Sequence, residues 1–117
     1  AVADHPDLVS AIRAFLGGRS GVDGALLAVA GPVNEGRCVL TNSGWVVDAA
    51  ELRVTLRADW VSVVNDFEAQ AWALPALGAD ALAPLGGGPV RPDRPMALIG
   101  PGTGLGMACL MPDGTVV

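Results

Sequence analysis

The chain reads as a mixed α/β fold, and three features of its 117 residues predict it. Two apolar runs of strand length, 25–30 and 60–64, are each closed by turn or cap residues, Gly31-Pro32 after the first and Asn65-Asp66 after the second. Hydrophobic residues recur at helical spacing before the first run, and helix formers follow the second. A segment rich in Gly and Pro, 78–94, then separates this half from further short strands. That alternation favours helices packed on a mixed sheet over a helical bundle or a sandwich.

Pro6 or Asp7 opens the first helix, because Leu8, Val9, Ala11, Ile12 and Leu16 fall on one face and Gly17-Gly18 stops the pattern. This helix should lie on the sheet. Asp23-Gly24 leads into the run 25–30, predicted as a strand buried on both faces. Glu35-Gly36 is a turn between Val33 and a short strand at Cys38, Val39 and Leu40. Thr41, Asn42, Ser43, Gly44 and Trp45 follow as a polar loop with an aromatic anchor. Asp48 caps a short helix, with Glu51 as its reciprocal partner, that runs through Leu52 and Leu56 to end near Arg57 or Ala58. β-Branched residues make 60–64 a strand, and Asn65-Asp66 passes directly into a helix that Pro75 ends. Residues 96–99 read as a buried strand and 106–111 begin another, after which Pro112-Asp113-Gly114 turns the chain back into Thr115-Val116-Val117. A final strand cut short in this way reads as part of a larger protein.

Composition narrows the function classes. Hydrophobic residues make up 51% and charged residues 16%, which excludes an acidic disordered tail. Twelve acids face seven bases, all of them Arg, for a net charge of -5. No basic face is available to release counterions from nucleic acid or to meet anionic lipid, so neither partner is expected. Gly and Pro interrupt every apolar run before the ~20 residues that a membrane-spanning helix needs, and no basic stretch precedes an apolar leader. Cys38 and Cys109 each sit among hydrophobic residues, as buried thiols in a reducing, cytoplasmic setting would. A single His and scattered Cys supply neither a zinc tetrad nor a thiol-imidazole nucleophile. No protein-held metal site is expected, and any metal would be a hard cation carried with phosphate oxygens.

Two segments carry the chemistry. An Asp where a buried strand meets a helix can receive amide hydrogen bonds from the first turn while projecting into the crevice beyond the sheet. Capping alone would explain Asp66. Asn65 beside it adds an amide able to orient the same hydroxyl whose proton the carboxylate accepts, so Asp66 is the expected base. Asp48, Asp59, Asp80, Asp93 and Asp113 lie near turns or helix starts, where solvation and local capping suffice. The second segment is Gly100-Pro101-Gly102-Thr103-Gly104-Leu105-Gly106, whose backbone amides and Thr103 hydroxyl could hold anionic oxygens; a plain turn is the competing reading. It lacks the Gly-Lys-Ser/Thr ending of a nucleotide P-loop, and with no Lys anywhere, phosphate would be met by backbone, Thr103, metal or Arg. Thr41, Asn42 and Ser43 offer hydroxyl and amide groups to a polyhydroxylated ligand, Asn42 first among them. Trp60 and Trp72 read as packing residues.

In order and spacing, Ala30-Gly31-Pro32-Val33, Leu40-Thr41-Asn42 with Trp45, Val64-Asn65-Asp66-Phe67, Ala73-Leu74-Pro75 and the glycine segment resemble the bacterial glucokinases, within the hexokinase and actin-like sugar-kinase superfamily. The resemblance implies an actin-like ATPase (ribonuclease H-like) fold, here an incomplete two-domain sugar kinase. Residues 1–76 would form part of the small α/β domain, and 77–117 the connection and the start of the large one. It implies transfer of the γ-phosphoryl group of ATP, with Mg2+, to the 6-hydroxyl of glucose, giving glucose 6-phosphate and ADP. Asp66 then matches the catalytic base, Asn65 a sugar-binding amide, and Thr41-Asn42 the loop that shapes the sugar pocket. Gly100, Gly102, Thr103 and Gly104 match the family's second phosphate-binding motif. The family's Asp-x-Gly-Gly-Thr loop, its glutamate- and histidine-containing sugar segment and its adenosine region have no match in these residues. Because a misplacement of about 1 Å can cost on the order of 10²-fold in rate, the chain alone is expected to be inactive. A kinase of another hexose or N-acetylhexosamine, and a non-catalytic sugar-binding regulator, are the alternatives. The resemblance leaves room for a homodimer of the intact protein.

Overall fold

The computed structural model describes residues 4–19, 21–89, 91, 93–102 and 104–117. They divide into two compact units, Ala1–Asp66 and Phe67–Val117.

In the first unit, α1 (Leu8–Leu16) starts where the Asp7 carboxylate accepts from the Ser10 amide at 2.7 Å and the Ser10 hydroxyl oxygen accepts in return from the Asp7 amide. It stops at Gly17, in the left-handed region at φ 58°. Leu8, Val9 and Ile12 pack on the unit's core, as their spacing predicts. β1 (Gly24–Val29) and β4 (Trp60–Asn65) pair in parallel, in register from Gly24 opposite Trp60 to Val29 opposite Asn65. The core gathers Val29, Cys38, Val47, Leu52 and Val63, with Leu27 and Val61 against it. Burial therefore alternates along β1, and Leu26 stays 55% exposed. The expectation of a strand buried on both faces is corrected: within this unit the apolar cluster covers the Leu27 and Val29 side.

The crossover between these strands holds a hairpin and a helix. β2 (Arg37–Val39) and β3 (Val46–Asp48) are antiparallel, and β3 is a strand that the sequence reading passed over as loop and cap. The turn before β2 is a two-residue connection: Asn34 and Arg37 exchange backbone hydrogen bonds of 2.9 Å in each direction, with Glu35 and Gly36 at φ 50° and 75° between them. Asp48 ends β3 and caps α2 (Ala49–Leu56), accepting from the Ala50 and Glu51 amides at 2.9 and 3.1 Å. The helix closes at Arg57, one of the two ends named from sequence, and buries Leu52.

The chain enters the second unit through α3 (Asp66–Ala73), which begins at the residue after β4. Pro75 falls in a 3₁₀ turn, Leu74–Ala76, that ends the helix, and a second such turn spans Ala79–Ala81. β5 (Met96–Pro101) and β6 (Leu105–Leu110) form an antiparallel pair. After the turn at 112–114 the chain returns along β6, with Cys109 and Val117 exchanging backbone bonds of 2.7 and 3.0 Å. Ala71, Ala108 and Leu110 are buried together, with Phe67, Met96 and Val116 against them. β5 alternates between half-buried and exposed residues, Ile99 being 60% exposed, so it is a one-faced strand rather than the buried strand expected. Cys38 is a buried free thiol and Cys109 a half-buried one. Among the described residues no helix is long and apolar enough to cross a membrane.

Candidate active site

Asn65 is the last residue of β4 and Asp66 the first of α3, so the pair stands at the carboxyl end of the parallel strands. Both are half-buried. Because Val29 lies opposite Asn65, the turn that leaves β1 runs beside the pair. The Asn65 side-chain amide donates to the Gly31 carbonyl at 3.1 Å, and the Gly31 amide donates to the Val29 carbonyl at 3.1 Å. A Cβ on Gly31 would lie 3.0 Å from the Cys38 sulfur, tighter than an ordinary side-chain contact, so the turn fits closely against the β2 hairpin. Asn65 therefore has a structural duty that the sequence reading did not assign. Nothing in its spacing from Gly31 announces that bond; only the parallel pairing of β1 and β4 brings the two together.

Thr41 and Asn42 lie in the connection from β2 to β3, both exposed. The connection is closed by Leu40 donating to the Trp45 carbonyl at 2.9 Å and Gly44 donating to the Leu40 carbonyl at 2.7 Å, and Trp45 is half-buried beneath it. Thr41, Asn42 and Ser43 line a cavity of about 560 Å³ whose wall includes Leu27 and Val29 of β1. The loop is thus brought to the carboxyl end of β1, the strand that neighbours Asn65. The cavity's other walls are largely aliphatic, with Leu8, Leu40 and Val47 among them, so its polar chemistry resides at the loop edge. Asn65 and Asp66 are not among its lining residues.

In the second unit, Gly100 belongs to β5 and Gly106 to β6, directly opposite each other, and the strands close at Pro101 and Leu105. Gly102 and Gly104 are exposed at the tip, where the Gly102 amide donates to the Gly104 carbonyl at 2.8 Å. That amide closes the loop. Thr103 lies outside the described residues. A Cβ on Gly100 would come within 2.6 Å of the Phe67 ring, and one on Gly106 would overlap it. Among the described residues, a Cβ on Gly104 would meet nothing within 4 Å, and one on Gly102 only the Gly104 carbonyl at 3.8 Å. The four glycines therefore separate into a pair required by packing and a pair that packing leaves unexplained. The sequence carried a signal for the first pair, since Gly100 and Gly106 are equidistant from the centre of the turn and must face each other if it is a hairpin. Of the two tryptophans read as packing residues, Trp60 is 53% exposed with its indole over Gly24, and Trp72 donates its ring N–H to the Gly114 carbonyl at 3.1 Å.

The chain is similar to the glucokinase of Ralstonia nicotianae, 43% identical over 115 residues that cover 93% of this chain and 34% of that protein. It is 42% identical to the glucokinase of Pseudomonas aeruginosa over 118 residues, covering 97% of this chain and 36% of the relative. The crystal structure of a glucokinase from an Antarctic psychrotroph superimposes with a TM-score of 0.81 at 35% identity, over 94% of this chain and 35% of that one. The chain thus spans about a third of the length of the curated relatives it matches. A family model described as Glucokinase matches residues 1–117, and the chain belongs to the glucokinase family.

Proposed function

We propose that the intact protein containing this chain transfers the γ-phosphoryl group of ATP to the 6-hydroxyl of glucose, with Asp66 as the base that accepts the hydroxyl proton. The observation that carries the reading is the placement of Asn65-Asp66 where β4 becomes α3, at the carboxyl end of a parallel strand pair in a chain of this family. Ligands of open α/β sheets bind at that edge. Asp66 is half-buried, which suits a carboxylate that must meet a substrate hydroxyl while sheltered from competing water. Asn65 would orient the sugar from the same junction, and Thr41-Asn42 would supply further hydroxyl and amide contacts from the loop at the end of β1. Gly100, Gly102, Thr103 and Gly104 would hold phosphate oxygens through backbone groups and the threonine hydroxyl.

Mg2+ would arrive with ATP, held by phosphate oxygens and water, and would neutralise charge on the transferred group. Among the described residues no three His, Cys, Asp or Glu side chains gather into a metal site. A boundary near residue 76 between small and large domains and a cytoplasmic location complete the proposal.

The test is phosphoryl transfer by the full-length protein across glucose, mannose, fructose and N-acetylglucosamine, with Asp66→Asn as the matched variant. Glucose should be preferred and kcat of the variant should fall by about 10²-fold or more, the scale of a lost general base. Unchanged kcat would remove Asp66 from the role. The 117-residue chain assayed alone should form no glucose-dependent ADP, and robust turnover would overturn the view that it holds only part of the site.

A further inference from the structure

The ring of Phe67 lies on a floor made by two glycines. Gly100 and Gly106 face each other across β5 and β6, and a Cβ on either would run into the ring, at 2.6 Å from Cζ in the case of Gly100. An aromatic ring laid over facing glycines fills the space their missing side chains leave and pins the register of the pair. Phe67 is also half-buried against Ala71, Ala108 and Leu110, so its own position is fixed by α3 and β6 together. It is the residue immediately after Asp66 in α3. The hairpin tip that carries Gly102 and Gly104 continues directly from the strands on which the ring rests.

From these contacts we propose that Phe67 is a positioning residue for phosphoryl transfer: its ring, seated on Gly100 and Gly106, holds the phosphate-binding hairpin in a fixed setting against the helix that opens with Asp66. The proposal rests on the reading of Asp66 and the hairpin given above. Removing the ring deletes neither chemical group but lets the hairpin shift. Because errors of about 1 Å in the placement of reacting groups cost on the order of 10²-fold in rate, the loss falls on ATP use. The glucose contacts proposed for Thr41, Asn42 and Asn65 lie outside the packing of the ring on Gly100 and Gly106 and stay.

The experiment is steady-state kinetics of the full-length protein with Phe67→Ala, Phe67→Leu, Gly106→Ala and the double variant Phe67→Leu with Gly106→Ala, alongside Asp66→Asn. Phe67→Ala should lower kcat/KM for ATP by about 10- to 100-fold, with the KM for glucose within about threefold of the parent, a factor smaller than the loss of one hydrogen bond produces. Phe67→Leu keeps apolar volume against Ala71 and Leu110, so it remains folded where the alanine variant does not, and it should show the same split in smaller measure. Gly106→Ala should displace the ring and mimic its loss. In the double variant the smaller side chain makes room for the new Cβ, so the two effects combine to less than their product. Equal losses for ATP and glucose, or a lowered melting temperature with kinetics unchanged, would show a merely structural ring and overturn the proposal. So would independent, fully multiplicative effects of Phe67→Leu and Gly106→Ala. If Asp66→Asn keeps full turnover, the phosphotransfer reading itself fails; if Asp66→Asn is inactive while both Phe67 variants behave as the parent, only the role of Phe67 falls.

Discussion

Replacing Asn65 by Ala separates two duties that one side chain is asked to perform. The structural duty is the 3.1 Å bond from its amide to the Gly31 carbonyl, made across 34 residues of chain at a half-buried position. A neutral hydrogen bond contributes about 0.5–1.5 kcal/mol net, and leaving a partly buried carbonyl without its donor moves the cost toward the top of that range. The turn has little freedom to recover elsewhere, since Gly31 already sits where a Cβ would be 3.0 Å from the Cys38 sulfur. We therefore expect a loss of about 1–1.5 kcal/mol, seen as a fall of roughly 2–4 °C in the melting temperature for each kcal/mol in a domain of 150–250 residues. The functional duty is a hydrogen bond to glucose, whose loss should raise the KM for glucose by about tenfold, the equivalent of 1.4 kcal/mol. Thermal unfolding and glucose saturation of the full-length variant read the two separately. A lowered melting temperature with unchanged glucose KM would leave Asn65 as a tie and remove it from the sugar site. An unchanged melting temperature would refute the claim that the bond to Gly31 holds the junction.

Asp48→Ala should cost about 1 kcal/mol by freeing the Ala50 and Glu51 amides at the start of α2, measured by denaturant unfolding; its 3.7 Å approach to the exposed Arg37 guanidinium adds little. Asp7 and Asp113 are held below the ordinary value of 3.8 by the backbone amides of Ser10 and Thr115 respectively. A depressed folded-state pKa contributes stability that is present above the unfolded value and is lost as pH falls through the folded one, so unfolding midpoints should decline below about pH 4 and Asp7→Asn should flatten that limb. Gly104→Ala meets no neighbour within 4 Å among the described residues and should increase the KM for ATP; an unaltered ATP KM would take Gly104 out of phosphate binding.

Local chemistry was legible in the sequence, and long-range pairing was not. The start of α1 at Pro6 or Asp7, the Asp48 cap, the Gly17 stop, the Glu35-Gly36 turn and the return after Pro112 depend on residues within a few positions of one another, so spacing alone located them. β3 escaped because three residues cannot display a period, and its strand character comes only from pairing with β2. The two-sided burial expected of β1 failed because an apolar run cannot reveal which of its faces meets the cluster formed by α1, α2 and the hairpin. At the site, the Asn65-Asp66 junction was legible as a strand end running into a helix. The bond from Asn65 to Gly31 was not, since it depends on the β1–β4 register.

The signatures that mark this family mix two kinds of residue, and geometry separates them where sequence cannot. Gly31 is confined by the Cys38 sulfur, Gly100 and Gly106 by the Phe67 ring, and Asn65 is tied to a carbonyl across the sheet. Substitution at these positions disturbs packing before it touches any ligand, so lost activity there is ambiguous unless stability is measured on the same sample. Gly104 poses a different question. Among the described residues nothing lies within 4 Å of where a Gly104 side chain would begin, so packing does not account for a glycine there. One physical reason to omit a side chain at an exposed hairpin tip is the close approach of something from outside, and a phosphate oxygen meeting backbone amides makes that demand. The case for phosphate binding at this hairpin is therefore strongest at Gly104, where packing among the described residues gives no reason for a glycine.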